Sequence, residues 1–206
     1  MTFDALRHAL RNPAPLRATD MNRAPRGVRL AAVLMLLSDD PDPCITFVRR
    51  AATLRHHAGQ VALPGGGVDE DDDGPVDAAL REATEEVGLR RDIVQVLGQL
   101  PPVWVPKSNF DVVTVVVTWP GGELHAMDPA ETASVHQFPV SLLASSEVRC
   151  TSRHPRGFQG PAFVLPDVFI WGLTAHLLDW VLRLGGWEKN WDREHVVPIP
   201  AEYLRD

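Results

Sequence analysis

The segment from Pro75 to Val87 constrains this chain most. Pro75 suits the first turn of a helix, where its missing N–H costs nothing, and Gly88 suits a left-handed stop just past the end. Asp73 lies just ahead of the start and can cap or precede it. Val76, Leu80, Ala83 and Val87 form an apolar stripe that a helix must bury. On the same helix Glu82, Glu85 and Glu86 stand at i, i+3 and i+4, sharing one face roughly opposite that stripe. Like charges at i,i+4 destabilise a helix by roughly 0.2–0.5 kcal/mol per pair. A hard divalent cation relieves them, because Mg2+ takes carboxylate oxygens and keeps water and substrate phosphates as its other ligands. The plain alternative is a solvated acidic face. The glycines Gly65, Gly66 and Gly67, just upstream, supply permissive backbone beside this helix.

Around it the chain reads as interleaved strands and helices. Thr2 to Leu10 is predicted as a short amphipathic helix through Phe3, Leu6 and Leu10, and Asn12 to Gly27 as a Pro- and Arg-rich arm. Val28 to Leu37 and Cys44 to Arg50 read as a hairpin around the turn cluster Ser38 to Pro43. Ala51 to Gly67 reads as loop, short strand at Val61 to Leu63, and loop. Ile93 to Val105 and Val112 to Trp119 are further strands, the second strongly β-branched. A polar loop, Gly121 to Thr132, leads to a short strand at Val135 to Val140 and then to Ser141 to Ala144. More strands follow between Val148 and Phe169 around the turn Arg153 to Gly157, then a helix at Leu173 to Leu184. The tail from Gly185 carries Trp187, Trp191 and Tyr203 and is expected to pack back. This order points to an α/β (α+β) domain, with residues 1–27 as helix and arm and residues 28–206 as the main domain.

Composition removes several functions. The 206 residues carry 20 Lys and Arg against 27 Asp and Glu, a formal charge of −7, so the chain lacks the basic footprint that nucleic-acid binding needs. Lysine occurs only at Lys107 and Lys189, neither after a glycine, so no phosphate-binding P-loop is present. The longest apolar run, Leu30 to Leu37, is too short to span a bilayer, and the first residues lack a signal-peptide core. Cys44 and Cys150 form neither a CxxC pair nor a zinc spacing, which predicts free thiols in a reducing cytoplasm. Nothing local supports a Ser-His-Asp triad.

The spacing from Gly67 to Leu89 resembles the signature of the Nudix hydrolases. That signature runs Gly, five residues, Glu, seven residues, Arg-Glu, an aliphatic, any residue, Glu-Glu, any residue, Gly, and an aliphatic. Here it passes through Gly67, Asp73, Arg81, Glu82, Ala83, Glu85, Glu86, Gly88 and Leu89. Asp73 replaces the usual Glu and Ala83 a larger aliphatic. Upstream, Leu54-Arg55-His56-His57-Ala58-Gly59-Gln60-Val61-Ala62-Leu63-Pro64-Gly65-Gly66 is similar to an element of the coenzyme A pyrophosphatase branch of that superfamily, with Leu63 in place of Phe. The stretch Ile170 to Ala175 is similar to the same branch.

The resemblance implies a mixed sheet between helices, with the signature as loop–helix–loop. It also implies Mg2+-dependent hydrolysis, with Mn2+ as a substitute, of the diphosphate of coenzyme A or its derivatives to 3′,5′-ADP and 4′-phosphopantetheine. Two alternatives stay open: a Nudix hydrolase of another nucleoside diphosphate derivative, such as ADP-ribose or a dinucleotide polyphosphate, and a non-catalytic nucleotide sensor. Glu82 and Glu86 are the expected metal ligands, with Glu85 completing or bridging a second ion and a carbonyl near Gly66 adding a ligand. Arg81 is expected to orient the glutamates. The general base is Glu131, in the Asp128 to Thr132 loop, or Glu85. Substrate contacts are expected from Arg55, His57 and Gln60, and from Arg50 or Arg49, since adjacent strand residues point to opposite faces. The expected partner is a small-molecule substrate, with no nucleic acid or membrane; the sequence leaves the oligomeric state open.

Overall fold

β-Branched and leucine-rich runs build the spine of the computed structural model, which describes residues 3–16, 25–26 and 29–204. The chain begins with helix α1 (Asp4–Arg11), followed by strands β1 (Leu30–Ser38), β2 (Cys44–Arg50), β3 (Val61–Ala62) and β4 (Gly65–Gly67) and helix α2 (Pro75–Val87). Strands β5 (Gln95–Val105), β6 (Phe110–Trp119) and β7 (Thr132–Pro139) come next, then the short helix α3 (Val140–Leu143). Strands β8 (Arg149–Arg153), β9 (Gln159–Leu165) and β10 (Val168–Ile170), helix α4 (Gly172–Leu184) and strand β11 (Val196–Pro198) complete the chain, with a final 3-10 turn at Ala201–Leu204.

The main sheet runs β3-β2-β1-β6-β5, with β7 on the far side of β2. Strand β1 pairs in parallel with β6 from Leu30–Asp111 to Ser38–Trp119. On its other side β1 is shared. Its end meets β2 at Leu37–Ile45, while its first half pairs with β4 through Ala31–Gly67, Ala32–Gly66 and Val33–Gly65. The sheet therefore forks, and the glycine strand fills the fork.

Strand alternation sends opposite residues of β1 into two cores. Ala32, Leu34 and Leu36 pack with Ala78, Ala79, Ala83 and Val87 of α2. Met35 and Leu37 pack on the other face with Leu6 and Leu10 of α1 and Leu177, Leu178 and Val181 of α4. A second sheet, β10-β9-β8-β11, lies against α4. This is the mixed α/β sandwich expected of the chain.

Several expectations shift. The first helix spans Asp4–Arg11, and the predicted Thr2 start and Val28 strand start lie outside the described residues, as do residues 17–24 and 27 of the arm. Gly65–Gly67 is a strand where a loop was expected, and the tail contributes strand β11, paired in parallel with β8. The short strand expected from Val135 begins at Thr132.

The second sheet holds one buried charge. Arg149 is 2% exposed; its guanidinium pairs with Asp179 of α4 and lies 4.5 Å from the Trp191 ring. Burial pushes its pKa below the usual arginine value despite Asp179. Glu188 stands 4.0 Å from the same guanidinium. Breaking a buried pair is costly, so Arg149→Ala and Asp179→Ala should each cost about 3–5 kcal/mol in urea unfolding. The double replacement Arg149→Met with Asp179→Leu should recover most of that loss; a double variant as unstable as the singles would show that the pair itself holds the sheet to α4.

Candidate active site

Helix α2 occupies the residues the sequence predicted. Gly74 precedes it at φ 100° and Gly88 ends it at φ 71°, both backbone states that side chains resist. Asp73 makes no side-chain cap: it is exposed, and its backbone N–H donates to Asp77 Oδ2 at 3.3 Å.

The helix is rotated relative to the expected stripe. Its buried residues are Ala78, Ala79, Ala83, Glu86 and Val87, whereas Val76 and Leu80 are only half-buried. Ala79, Glu82, Ala83 and Glu86 stand at i, i+3, i+4 and i+7, so the two glutamates flank the sheet-facing alanines rather than opposing them. Three alanines bring the helix axis close to β1 and β4. The departure from a large aliphatic at Ala83 thus keeps the helix near the glycine strand.

That closeness places both carboxylates on β4. Glu86, 9% exposed, accepts a hydrogen bond from the Gly65 N–H at 3.0 Å. Glu82 lies against Gly66: a Cβ on that glycine would fall 2.4 Å from Glu82 Oε1. Burial pushes the Glu86 pKa up to about 7; Glu82 and Glu131 push the same way, and the Gly65 N–H and Arg50 oppose them. Burial also raises Glu82, with Arg81 opposing. Glu85 points outward with 59% of its side chain exposed.

Arg81 organises the acids around this pair. It donates to Asp72 through Nε and Nη2, both at 3.0 Å, a two-pronged pairing. It also reaches Glu82 Oε1 at 3.0 Å, Glu85 Oε2 at 3.3 Å and the Gly67 carbonyl at 3.2 Å, and pairs with Asp69 at 3.2 Å. The Arg81 hydrogen bonds hold Asp72 below the usual carboxylate range. Asp72, with 3% of its side chain exposed, is thus the buried acid partner of Arg81, while its neighbour Asp73 is exposed. Nothing in the sequence pattern singled out Asp72 within the acidic run Asp69 to Asp73.

A second wall stands across β4. Arg50, the last residue of β2, lies close enough for its charge to act on Glu86, as does Glu131. Its Nε is buried without a hydrogen-bond partner. The Ala51 N–H donates to the Glu131 carbonyl at 2.8 Å, which ties the start of β7 to the end of β2. The loop before Glu131 runs back along α2, where Met127 N–H donates to the Glu86 carbonyl at 3.0 Å. Arg55 is exposed on the 51–60 loop. His57 and Gln60 are turned toward each other, Nδ1 to Oε1 at 2.9 Å, and Gln60 Nε2 donates to the Tyr203 carbonyl at 3.0 Å. Those polar ends are engaged within the loop and tail; sequence patterns gave no sign of this long-range bond. The fold brings the predicted residues Arg50, Gly66, Arg81, Glu82, Glu85, Glu86 and Glu131 together, whereas Arg55 stands on the exposed loop and His57 and Gln60 bond to each other.

The donor set fits a hard cation. Among the described residues no three His, Cys, Asp or Glu side chains converge in a ready-made cage. Two carboxylates on consecutive glycines are what Mg2+ takes from a protein when water and substrate phosphates supply the rest.

The buried carboxylate sets a pH-dependent stability. An unfolded glutamate loses its proton near 4.5, whereas folded, metal-free Glu86 keeps it to about pH 7. Folding takes up a proton between those values, so stability falls as pH rises from about 4.5 to 7. The loss is at most about 3 kcal/mol. In EDTA at pH 8, Glu86→Gln should therefore melt higher than the wild type, and the gap should close near pH 4.5. A variant that melts lower at pH 8 would overturn the buried-carboxylate account.

Known proteins are similar to this chain in sequence and fold. The family model described as the NUDIX domain matches residues 28–155. A protein described as uncharacterized Nudix hydrolase NudL from Photorhabdus laumondii is 40% identical over 171 residues, covering 81% of this chain and 87% of that protein. Its namesake from Cronobacter sakazakii is 37% identical over 169 residues, covering 80% and 88%. Among solved structures, a Nudix hydrolase from Nitrosomonas europaea aligns with a TM-score of 0.50 at 12% identity, over 83% of this chain and 80% of that one, a likeness of fold alone. The chain belongs to the Nudix hydrolases.

Proposed function

We propose that this Nudix hydrolase cleaves the diphosphate bond of coenzyme A and its derivatives, with Mg2+ as the resident metal, releasing 3′,5′-ADP and 4′-phosphopantetheine. One observation carries the reading. The Leu54 to Gly66 element, similar to the coenzyme A pyrophosphatase branch, ends in the two glycines on which Glu86 and Glu82 rest. Its substrate-side loop and the carboxylate pair are thus parts of one continuous segment. The free thiols Cys44 and Cys150 accord with a cytoplasmic enzyme.

Glu82, Glu86 and the Gly66 carbonyl would hold the metal, with Glu85 at hand for a second ion. When bound, a divalent cation neutralises phosphoryl oxygens and eases departure of the phosphate leaving group. Arg50 supports that neutralisation from the opposite wall and can grip a phosphoryl oxygen. Arg55 stands on the exposed loop, where it can meet the 3′-phosphate. Arg81 is committed to carboxylates and orients them. Glu131 accepts the proton of the attacking water. Its rival Glu85 is already bonded to Arg81 and points outward.

Three measurements test this. With Mg2+ and a panel of coenzyme A, ADP-ribose and diadenosine polyphosphates, 3′,5′-ADP should appear from coenzyme A in preference to any other cleavage. Equal or faster ADP-ribose cleavage would reject the substrate, and binding without any product would reject the reaction. Glu131→Gln should lower kcat by about 10^2-fold or more, while Glu85→Gln should cost less than about tenfold; the reverse order would move the base to Glu85. Gly66→Ala should raise the Mg2+ needed for half-maximal rate by roughly tenfold or more, with little change in melting, since only the flexible end of Glu82 must yield. Gly65→Ala should instead destabilise the fold, because its Cβ would fall 2.3 Å from the Ala32 carbonyl at φ 151°.

A further inference from the structure

The tail lies outside residues 28–155 of the family match, yet it reaches the site. Tyr203, 3% exposed, is seated from two sides. Its Oη accepts the Phe169 N–H at 3.1 Å, and its ring lies 6.0 Å from that of Phe169. The approach is fixed by β11 on β8 and by the Ile199 N–H donating to the Arg153 carbonyl at 3.1 Å. The Tyr203 carbonyl then receives the Gln60 Nε2–H at 3.0 Å.

Gln60 passes this anchorage inward. Its Oε1 meets His57 Nδ1 at 2.9 Å, and its backbone N–H donates to the His57 carbonyl at 3.1 Å. These bonds bracket His57, held at φ 57°, a state that a non-glycine residue adopts when its surroundings impose it. The Gln60 carbonyl accepts the Arg50 N–H at 2.9 Å, and the next amide, Ala51, donates to Glu131 at 2.8 Å. The end of β2 thus hangs between Gln60 on one side and Glu131 on the other.

We infer that the C-terminal segment 196–204 is a positioning brace for the substrate side of the site, acting from Tyr203 through Gln60 on Arg50 and on the 51–60 loop that carries Arg55. Tyr203 touches no reacting atom in this scheme; it sets where the cations stand. The substrate class rests on the function proposed above, whereas the brace itself is a property of the chain. Small displacements of such groups have large effects, since a shift of about 1 Å can cost on the order of 10^2-fold.

The test uses all 206 residues of the chain. Tyr203→Ala should raise KM for coenzyme A by about fivefold or more, while kcat and the half-saturating Mg2+ change less than about twofold. Tyr203→Phe, which keeps the ring but leaves the buried Phe169 N–H without its acceptor, should fall between wild type and Tyr203→Ala. By hydrogen exchange, the Arg50 and Gln60 amides should exchange faster in Tyr203→Ala while the α2 amides do not. Gln60→Glu, which removes the donor to Tyr203 and serves as the second variant should Tyr203→Ala fail to fold, should give the same exchange pattern and a raised KM. Unchanged KM or unchanged exchange in both variants overturns the inference, as does a joint loss of kcat, Mg2+ response and α2 protection, which would mark the tail as general support. If the wild type cleaves another nucleoside diphosphate derivative, the substrate proposal fails and the KM arm is read on that compound. If it cleaves none, exchange alone decides.

Discussion

Everything chemical in this chain depends on how closely α2 approaches the glycine strand β4. Ala78, Ala79 and Ala83 present only methyl groups to the sheet, and Gly65 and Gly66 put no side chain on the strand. Two carboxylates are thereby pressed onto backbone, and Glu86 is buried at a cost that raises its pKa to about 7. A buried carboxylate is tolerated when something compensates its charge. Here the compensation is partial: one backbone N–H and the field of Arg50. The remaining need is what a divalent cation meets.

The charge distribution follows from the same contact. From Asp69 to Glu86 there are nine acids (Asp69, Glu70, Asp71, Asp72, Asp73, Asp77, Glu82, Glu85 and Glu86) and one base, Arg81, a sum of −8. The whole chain is −7, so the other residues sum to +1. Between Cys44 and Val68 there are three arginines and no acid, or +3. The body is thus nearly neutral, with an anionic helix facing a cationic strand end. Arg81 keeps the anionic side ordered by taking Asp72, Glu82 and Glu85 together. A polyanion arriving with its metal meets both signs in the order it needs them.

The sequence carried much of this and missed identifiable parts. Helix α2 was legible to the residue, because Pro75 and Gly88 punctuate it and its period is strong. The box spacing marked the carboxylates. Its inward face was not legible: the glutamates were placed opposite the buried stripe because a helical wheel ranks residues by polarity, whereas tertiary contact chose the alanine side. Strand β4 was missed because three glycines have no side chains to alternate. The part played by Asp72 was not legible, because adjacent aspartates differ only in where a bend turns them. Strand β11 and the Gln60–Tyr203 bond depend on residues far apart in the chain, and local patterns do not encode such pairs.

The forked sheet explains why these distant pieces meet. Strand β1 is bonded along its whole length to β6, but its other edge passes from β4 to β2. Among the described pairings β4 has β1 as its single strand neighbour, so the Gly65 N–H is free to hold Glu86 instead of another strand. Strand β2, released from β1 after Ile45, is held by β3 and β7 and must be fixed at its end by other means. Gln60 and Glu131 provide that fixing through backbone bonds to Arg50 and Ala51. One topological feature thus creates both an anion-friendly strand edge and a cation-bearing strand end. It also makes the second of these depend on a residue at the far C-terminus.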